Sequence, residues 1–289
     1  PSAGKSIWGS GFLPSVYQGT QCRNSGDPIL FLRNPRGMDR KLRRRMLDTI
    51  IDINRIQHQK IGDPETLARM SQYELTYRMQ LAAADIMDIN KESEAVREAY
   101  GVTGGTTGDF SFARNCLLAR RLVESGVRFV QLFDWGWDHH GSNRNEDMKS
   151  HLPMKSRQID RPMAALIKDL RQRGLLDETL VVWGGEFGRT PMRENRGGRY
   201  GKYIGRDHHP FCFTMWMAGG GVKGGFNYGT SDEIGYYPGE NKASVHDLQA
   251  TILHQLGLDP FEFSVPHQGL DARLIGPTDE ADIIHDILA

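Results

Sequence analysis

The 289-residue sequence has no excess charge of either sign: 36 Lys and Arg balance 36 Asp and Glu. A neutral chain sets up no global field, so nothing in its bulk charge favours nucleic acid or a membrane surface. No run of ~18 apolar residues occurs, and no segment reads as membrane-spanning. Cysteine is scarce. Cys22, Cys116 and Cys212 stand far apart, odd in number and without CxxC spacing, which makes them isolated thiols and leaves the redox compartment open. There is no internal repeat and no low-complexity tract. The Gly/Thr stretch 101–108 lacks both the lysine of a phosphate-cradling GxxxxGK[ST] loop and the strand that precedes one. The chain opens Pro-Ser-Ala, with no initiator Met and no signal-like segment, and reads as processed or as a portion of a longer protein.

What is present begins with aromatics. Residues 1–38 are rich in Gly, Pro, Asn and Ser but carry Trp8, Phe12, Tyr17 and Phe31, which need burial, so the stretch reads as an ordered loop region with one strand near 28–32. Leu42, Met46, Leu47, Ile50, Ile51, Asn54 and Ile56 then recur at helical spacing. Gly62-Asp63-Pro64 stops that helix and starts another, with Asp63 as N-cap and Pro64 at the first helical position. A third helix ends at Gly101, giving a helical insert over 39–100. Beyond it, helix and apolar run alternate: a helix over 110–125 before Val127–Phe133, a helix over 155–173 before Thr179–Trp183, a third apolar run over Phe211–Ala218, and a helix begun by Ser244 and ended by Gly257. Such alternation predicts an α/β fold with a mostly parallel sheet covered on both faces.

Three clusters of metal-ligand types follow those apolar runs. After Val127–Phe133 come Asp134, Asp138, His139 and His140; after Thr179–Trp183 and the pair Gly184-Gly185 come Glu186 and Arg189; and Asp207-His208-His209 lies about twenty residues on. In an extended segment i and i+2 share a side, so Asp138 and His140 can share a metal while His139 faces away; Asp134 is the alternative carboxylate. The same rule separates Asp207 and His209 from His208 without choosing between the histidines. Arg189 has two readings, a clamp for an anion or a partner for Glu186. His151, His246, His254 and His267 are isolated and read as non-ligands. Carboxylates plus imidazoles at strand ends suit one or two divalent ions that hold the attacking and leaving oxygens of a displacement at phosphorus or sulfur. Imidazole-rich sites favour zinc or manganese, carboxylate-rich ones magnesium or calcium.

At WGSGFLPSVYQG (8–19), WDHHG (137–141), GLLDETLVVWGGEFGRTP (174–191), GRDHHP (205–210), AGGGVKGG (218–225) and VHDLQATILHQLGLD (245–259) the chain resembles the bacterial sulfatase-like family of unassigned function placed in the alkaline-phosphatase superfamily. The resemblance implies a three-layer αβα sandwich spanning 1–289 as one N-terminally incomplete domain, with metal ligands at strand ends. It matches Asp138 and His140 to the family's WDxH pair and His208 to the histidine of GRDH. It sets Glu186 where an Asp-His pair is usual, with Phe187 in the histidine's place. It implies an exported protein, with the nucleophile-bearing region upstream of this chain; Ser10, Ser15 and Thr190 are the residual candidates. The expected activity is metal-dependent hydrolysis of a small-molecule or polysaccharide sulfate or phosphate ester. Asp138, His140, Glu186, Asp207 and His208 would hold a divalent metal (Zn, Mn, Mg or Ca), and Arg189 or Arg206 the anion. The alternatives are a non-catalytic binding or surface-assembly module, and a phosphomutase-like transferase.

Overall fold

The helices begin and end where their capping residues stand. In the computed structural model, which describes residues 9–10, 13, 17–22, 29, 34–102, 112–195, 200–278 and 280–289, with backbone alone over 78–84, α1 (Arg40–Ile61) starts at Asp39, whose carboxylate accepts from Leu42 N, and stops at Gly62 in the left-handed region. Asp63 then accepts from Glu65 N at 3.0 Å to open α2 (Pro64–Ile86). The strand expected near 28–32, the aromatics Trp8, Phe12 and Phe31, and the Gly/Thr stretch over 103–108 lie outside the described residues. The chain divides into two compact units, 1–135 and 136–289.

The first unit is helical. α1 packs on α2, and α4 (Phe112–Glu124) packs on α2 and on α3 (Glu94–Tyr100). Cys116, Leu117 and Tyr100 are almost fully buried. Arg120, also fully buried, is held by Glu92 at 2.8 Å and Glu124 at 2.5 Å, and Arg121 also pairs with Glu92. A buried guanidinium is tolerable only with such compensation. The Val127–Phe133 run joins no ladder among the described residues, and Phe129 is 72 % exposed.

The second unit carries α5 (His151–Gln172) and α6 (Val245–Gln255), the latter opened by a reciprocal capping box between Ser244 and Asp247. Ala250 and Leu253 of α6 pack with Ile275 and Ala281 in a small core. Strands are short and pair in twos, all antiparallel: β1 (Val181–Trp183) with β4 (Trp216–Ala218), β2 (Gly188–Arg189) with β3 (His208–His209), and β5 (Ser264–His267) with β6 (Leu270–Arg273). The expected three-layer αβα sandwich with a mostly parallel sheet is therefore corrected. The physical reason lies in the connections. A parallel neighbour needs a crossover of a dozen or more residues, usually helical. Among the described residues the link from β1 to β4 contains only the β2–β3 pair and loops, and the chain returns antiparallel, with Trp183 stacked on its cross-strand partner Trp216. Apolar, β-branched runs report what suits a pleated surface, not which strand will lie beside it.

What fixes the loops of this unit is backbone contact. Arg206 N donates to His139 O at 3.0 Å, Met148 N to Ile204 O at 2.8 Å, Glu194 N to Gly205 O at 2.8 Å and Thr190 N to Asp207 O at 2.9 Å. Asp147 completes the lacing: its carboxylate accepts from Ile204 N at 2.9 Å and from the amide and hydroxyl of Ser150. Gly141 (φ +71°) and Gly205 lie face to face; a Cβ on Gly205 would stand 1.9 Å from His140 C, and one on Gly141 2.6 Å from Gly205 N.

Two outcomes follow from this lacing. Gly205→Ala drives a methyl into backbone that cannot yield and should cost about 3 kcal/mol in denaturant unfolding; an unchanged midpoint would show that the two loops are not in contact. Asp147 has its carboxyl held down at about 2, mainly by the Ser150 hydroxyl and next by the Ile204 amide. A depressed carboxylate adds stability above its ordinary value near ~3.9, lost as pH falls through about 2. The stability difference between wild type and Asp147→Asn should therefore be flat above about pH 5 and shrink toward pH 2, read from urea midpoints at each pH.

Candidate metal centre

Register puts the first two site residues together. In the β2–β3 ladder Arg189 is the direct partner of His208, so the two side chains leave the same face. The third segment, 137–141, arrives through the backbone contacts just described. It is not extended: His139 N donates to Trp137 O at 3.0 Å and His140 N to Asp138 O at 3.1 Å, successive i to i+2 turns. These tight turns still place Asp138 and His140 side by side while sending His139 elsewhere.

Three donor atoms converge. Asp138 Oδ1 lies 3.0 Å from His140 Nε2 and 3.1 Å from His208 Nε2, and the two imidazole nitrogens are 3.2 Å apart. Ligand atoms at 2.0–2.1 Å from a tetrahedral zinc are separated by about 3.3 Å, and cis ligands of an octahedral ion at that distance by about 2.9 Å. A triangle with these edges is of the right size to be one face of either polyhedron. Two imidazoles and one carboxylate suit a borderline ion better than magnesium or calcium. Asp138 and His208 are exposed while His140 is mostly covered, so the triangle is reachable from solvent.

The atoms around the triangle orient it. His140 Nδ1 donates to Glu194 Oε2 at 2.6 Å, and the Glu194 side chain is only 3 % exposed. With Nδ1 protonated toward a buried carboxylate, Nε2 keeps its lone pair for the triangle. Arg189 spans the same atoms: Nη2 donates to Asp138 Oδ1 at 2.6 Å and Nη1 to His140 Nε2 at 3.3 Å, while Nη1 also reaches Arg206 O at 3.0 Å and Nη2 reaches Trp137 O at 3.5 Å. That guanidinium, outweighing partial burial and aided by His208, holds the Asp138 carboxyl at about 2. Phe187 stands edge-on to the His208 ring, with centroids 4.9 Å apart.

The remaining sequence candidates fall as follows. Glu186 is exposed and belongs to neither group of potential ligands among the described residues. Asp207 joins His140 and Glu194 in a second group, its Oδ1 3.9 Å from His140 Nδ1; because Glu194 already takes the proton of that nitrogen, this group supports the first rather than duplicating it. Arg206 enters through its backbone. Between the two histidines left open by spacing, His208 is the one at the triangle: His209 is buried, donating to Tyr236 O at 2.5 Å among Phe211, Tyr236 and Tyr237. His139 is buried too, its Nδ1 donating to Trp137 O at 2.8 Å and its Nε2 3.1 Å from His151 Nδ1, and burial pushes its pKa down. The Thr190 hydroxyl donates to Met192 O at 3.3 Å, Ser10 lies in the first unit, and Ser15 is outside the described residues. Glu194 was not singled out by the sequence; a lone Glu between Arg193 and Asn195, far from any apolar run, carries no signal of burial.

No helix among the described residues is long and apolar enough to cross a membrane. No curated protein and no solved structure matches the chain. The resemblance to a sulfatase-like family in the alkaline-phosphatase superfamily is thereby corrected: the family model that matches names no superfamily, fold or activity. That match runs over residues 1–288, and the chain belongs to the family described as protein of unknown function (DUF1501).

Proposed function

We propose that Asp138, His140 and His208 bind one borderline divalent metal ion, zinc or manganese, and that the site hydrolyses phosphate or sulfate esters of small molecules or polysaccharides. The observation that carries the reading is the triangle itself: three donor atoms from residues up to seventy positions apart stand within 3.2 Å of one another. A divalent ion held there supplies a Lewis acid for the ester oxygens and lowers the pKa of water. The chain's own residues do the rest. Glu194 fixes the His140 ring, Asp138 stays anionic at any working pH because Arg189 holds it so, and Arg189 offers a planar fork for a tetrahedral oxyanion. The half-covered, half-open setting of the triangle gives substrate an approach on the Asp138–His208 side.

A second reading, a binding module without catalysis, has one specific observation behind it. Arg189 already neutralises Asp138, and a proton shared from His208 to Asp138 and His140 closes the network without any ion. The two readings separate on purified protein. Elemental analysis of the full chain, iron included, should find about one equivalent of metal, retained by wild type and lost in Asp138→Asn and His208→Ala, with aryl phosphate or aryl sulfate turnover falling at least a hundredfold in both. Metal bound with no turnover of either ester supports the binding module; no metal at all removes the centre. Glu194→Gln should weaken metal binding by about 10–100-fold, as loss of an orienting carboxylate does, whereas Glu186→Gln should leave it unchanged. Equal effects of the two glutamate variants would count against the assigned roles.

A further inference from the structure

Resting on that reading, we infer that metal and oxyanion bind cooperatively through Arg189, which is the counter-ion of Asp138 in the metal-free protein and is handed to the anion when metal arrives. Both donors of the guanidinium that touch side chains sit on atoms the metal must claim, Asp138 Oδ1 at 2.6 Å and His140 Nε2 at 3.3 Å. A metal ion taking those lone pairs leaves Arg189 with only the carbonyls of Trp137 and Arg206. Its charge then stands beside a dication with no carboxylate of its own. The arginine therefore opposes the metal, and anything that neutralises it helps the metal bind.

Charge on the other side of the exchange points the same way. Before metal binds, the Arg189 guanidinium is engaged by the Asp138 carboxylate. A dianion that approaches then meets the exposed Asp138 carboxylate and an arginine already paired with it. After metal binds, the dication takes over Asp138 and the guanidinium is released to the anion. A tetrahedral oxyanion such as sulfate or phosphate then finds a bidentate partner in Arg189, placed beside the metal by the cross-strand pairing with His208. Linkage makes the effect mutual: if the anion tightens metal binding, the metal tightens anion binding by the same factor. Arg189→Met removes the competitor and the anion's partner at one stroke.

The test is a titration of Mn²⁺ into the full chain, followed by EPR, in chloride and in inorganic sulfate or phosphate at constant ionic strength. In wild type the oxyanion should raise Mn²⁺ affinity about fivefold or more. Arg189→Met should bind Mn²⁺ more tightly than wild type in chloride and show no response to the oxyanion. Mn²⁺ binding by wild type that is unaffected by oxyanion overturns the coupling and leaves the metal centre standing. Failure of folded wild-type protein to bind Mn²⁺, Zn²⁺ or Co²⁺ in either buffer overturns both. The wild-type arms decide the question even if the variant does not fold.

Discussion

The site exists because two loops touch through their backbones. Gly141 and Gly205 approach so closely that a single methyl on Gly205 would lie 1.9 Å from the carbonyl carbon of His140. Only residues without a Cβ permit that contact. From it the neighbouring hydrogen bonds follow in order: Arg206 N to His139 O, Met148 N to Ile204 O, and the Asp147 carboxylate to Ile204 N. Each is an ordinary bond, worth about 1 kcal/mol net. Together they leave the 137–141 turn no freedom to slide against the 203–209 segment. The donor atoms are therefore brought together by main-chain contacts.

Side-chain polarity then organises itself outward from the triangle. A buried glutamate settles which nitrogen of His140 carries the proton, which settles which nitrogen can accept. The cross-strand register settles that Arg189 and His208 emerge together. Phe187, which the family resemblance sets in a histidine's place, instead stands edge-to-face with His208 and limits how far that ring can turn. The aromatic cluster around His209 anchors the other end of the same dipeptide, and so His208 is held out toward Asp138 by its neighbour's burial. Two adjacent histidines thus have opposite duties, one packed and one presented.

Helix boundaries and the residue types of the two His-containing clusters were legible in the residues because both are local. Asp39, Asp63 and Ser244 cap helices, and Gly62 and Gly101 end them, by contacts reaching two to four positions. The presence of Asp138, His140 and His208 near one another could be suspected from paired imidazoles in two short motifs. Sheet topology was not legible, because strand partners are chosen across long separations that periodicity does not encode: Val181 pairs with Ala218 and Arg189 with His208. The apolar pattern also misled at Val127–Phe133, where a β-prone run that follows a helix joins no β-ladder among the described residues. Glu194 was invisible for a different reason. Burial of a charged side chain is decided by what closes over it, here the His140 ring, and no pattern along the chain announces that.

Arg189 is where structural and chemical requirements collide. A guanidinium bonded to Asp138 stabilises the loops as they stand, yet the same guanidinium occupies two of the three atoms proposed to hold the metal. A purely architectural network would gain little from exposing Asp138 and His208, since an ion pair open to water contributes at most about 1 kcal/mol. Burying both would not have helped either, since desolvation of a buried ion pair can cancel its Coulombic gain. Exposure leaves the donor atoms within reach of small ions, and on the proposed reading an arginine that trades one anionic partner for another keeps the carboxylate compensated throughout. The bond that the proposed exchange must break is the one between Arg189 and Asp138.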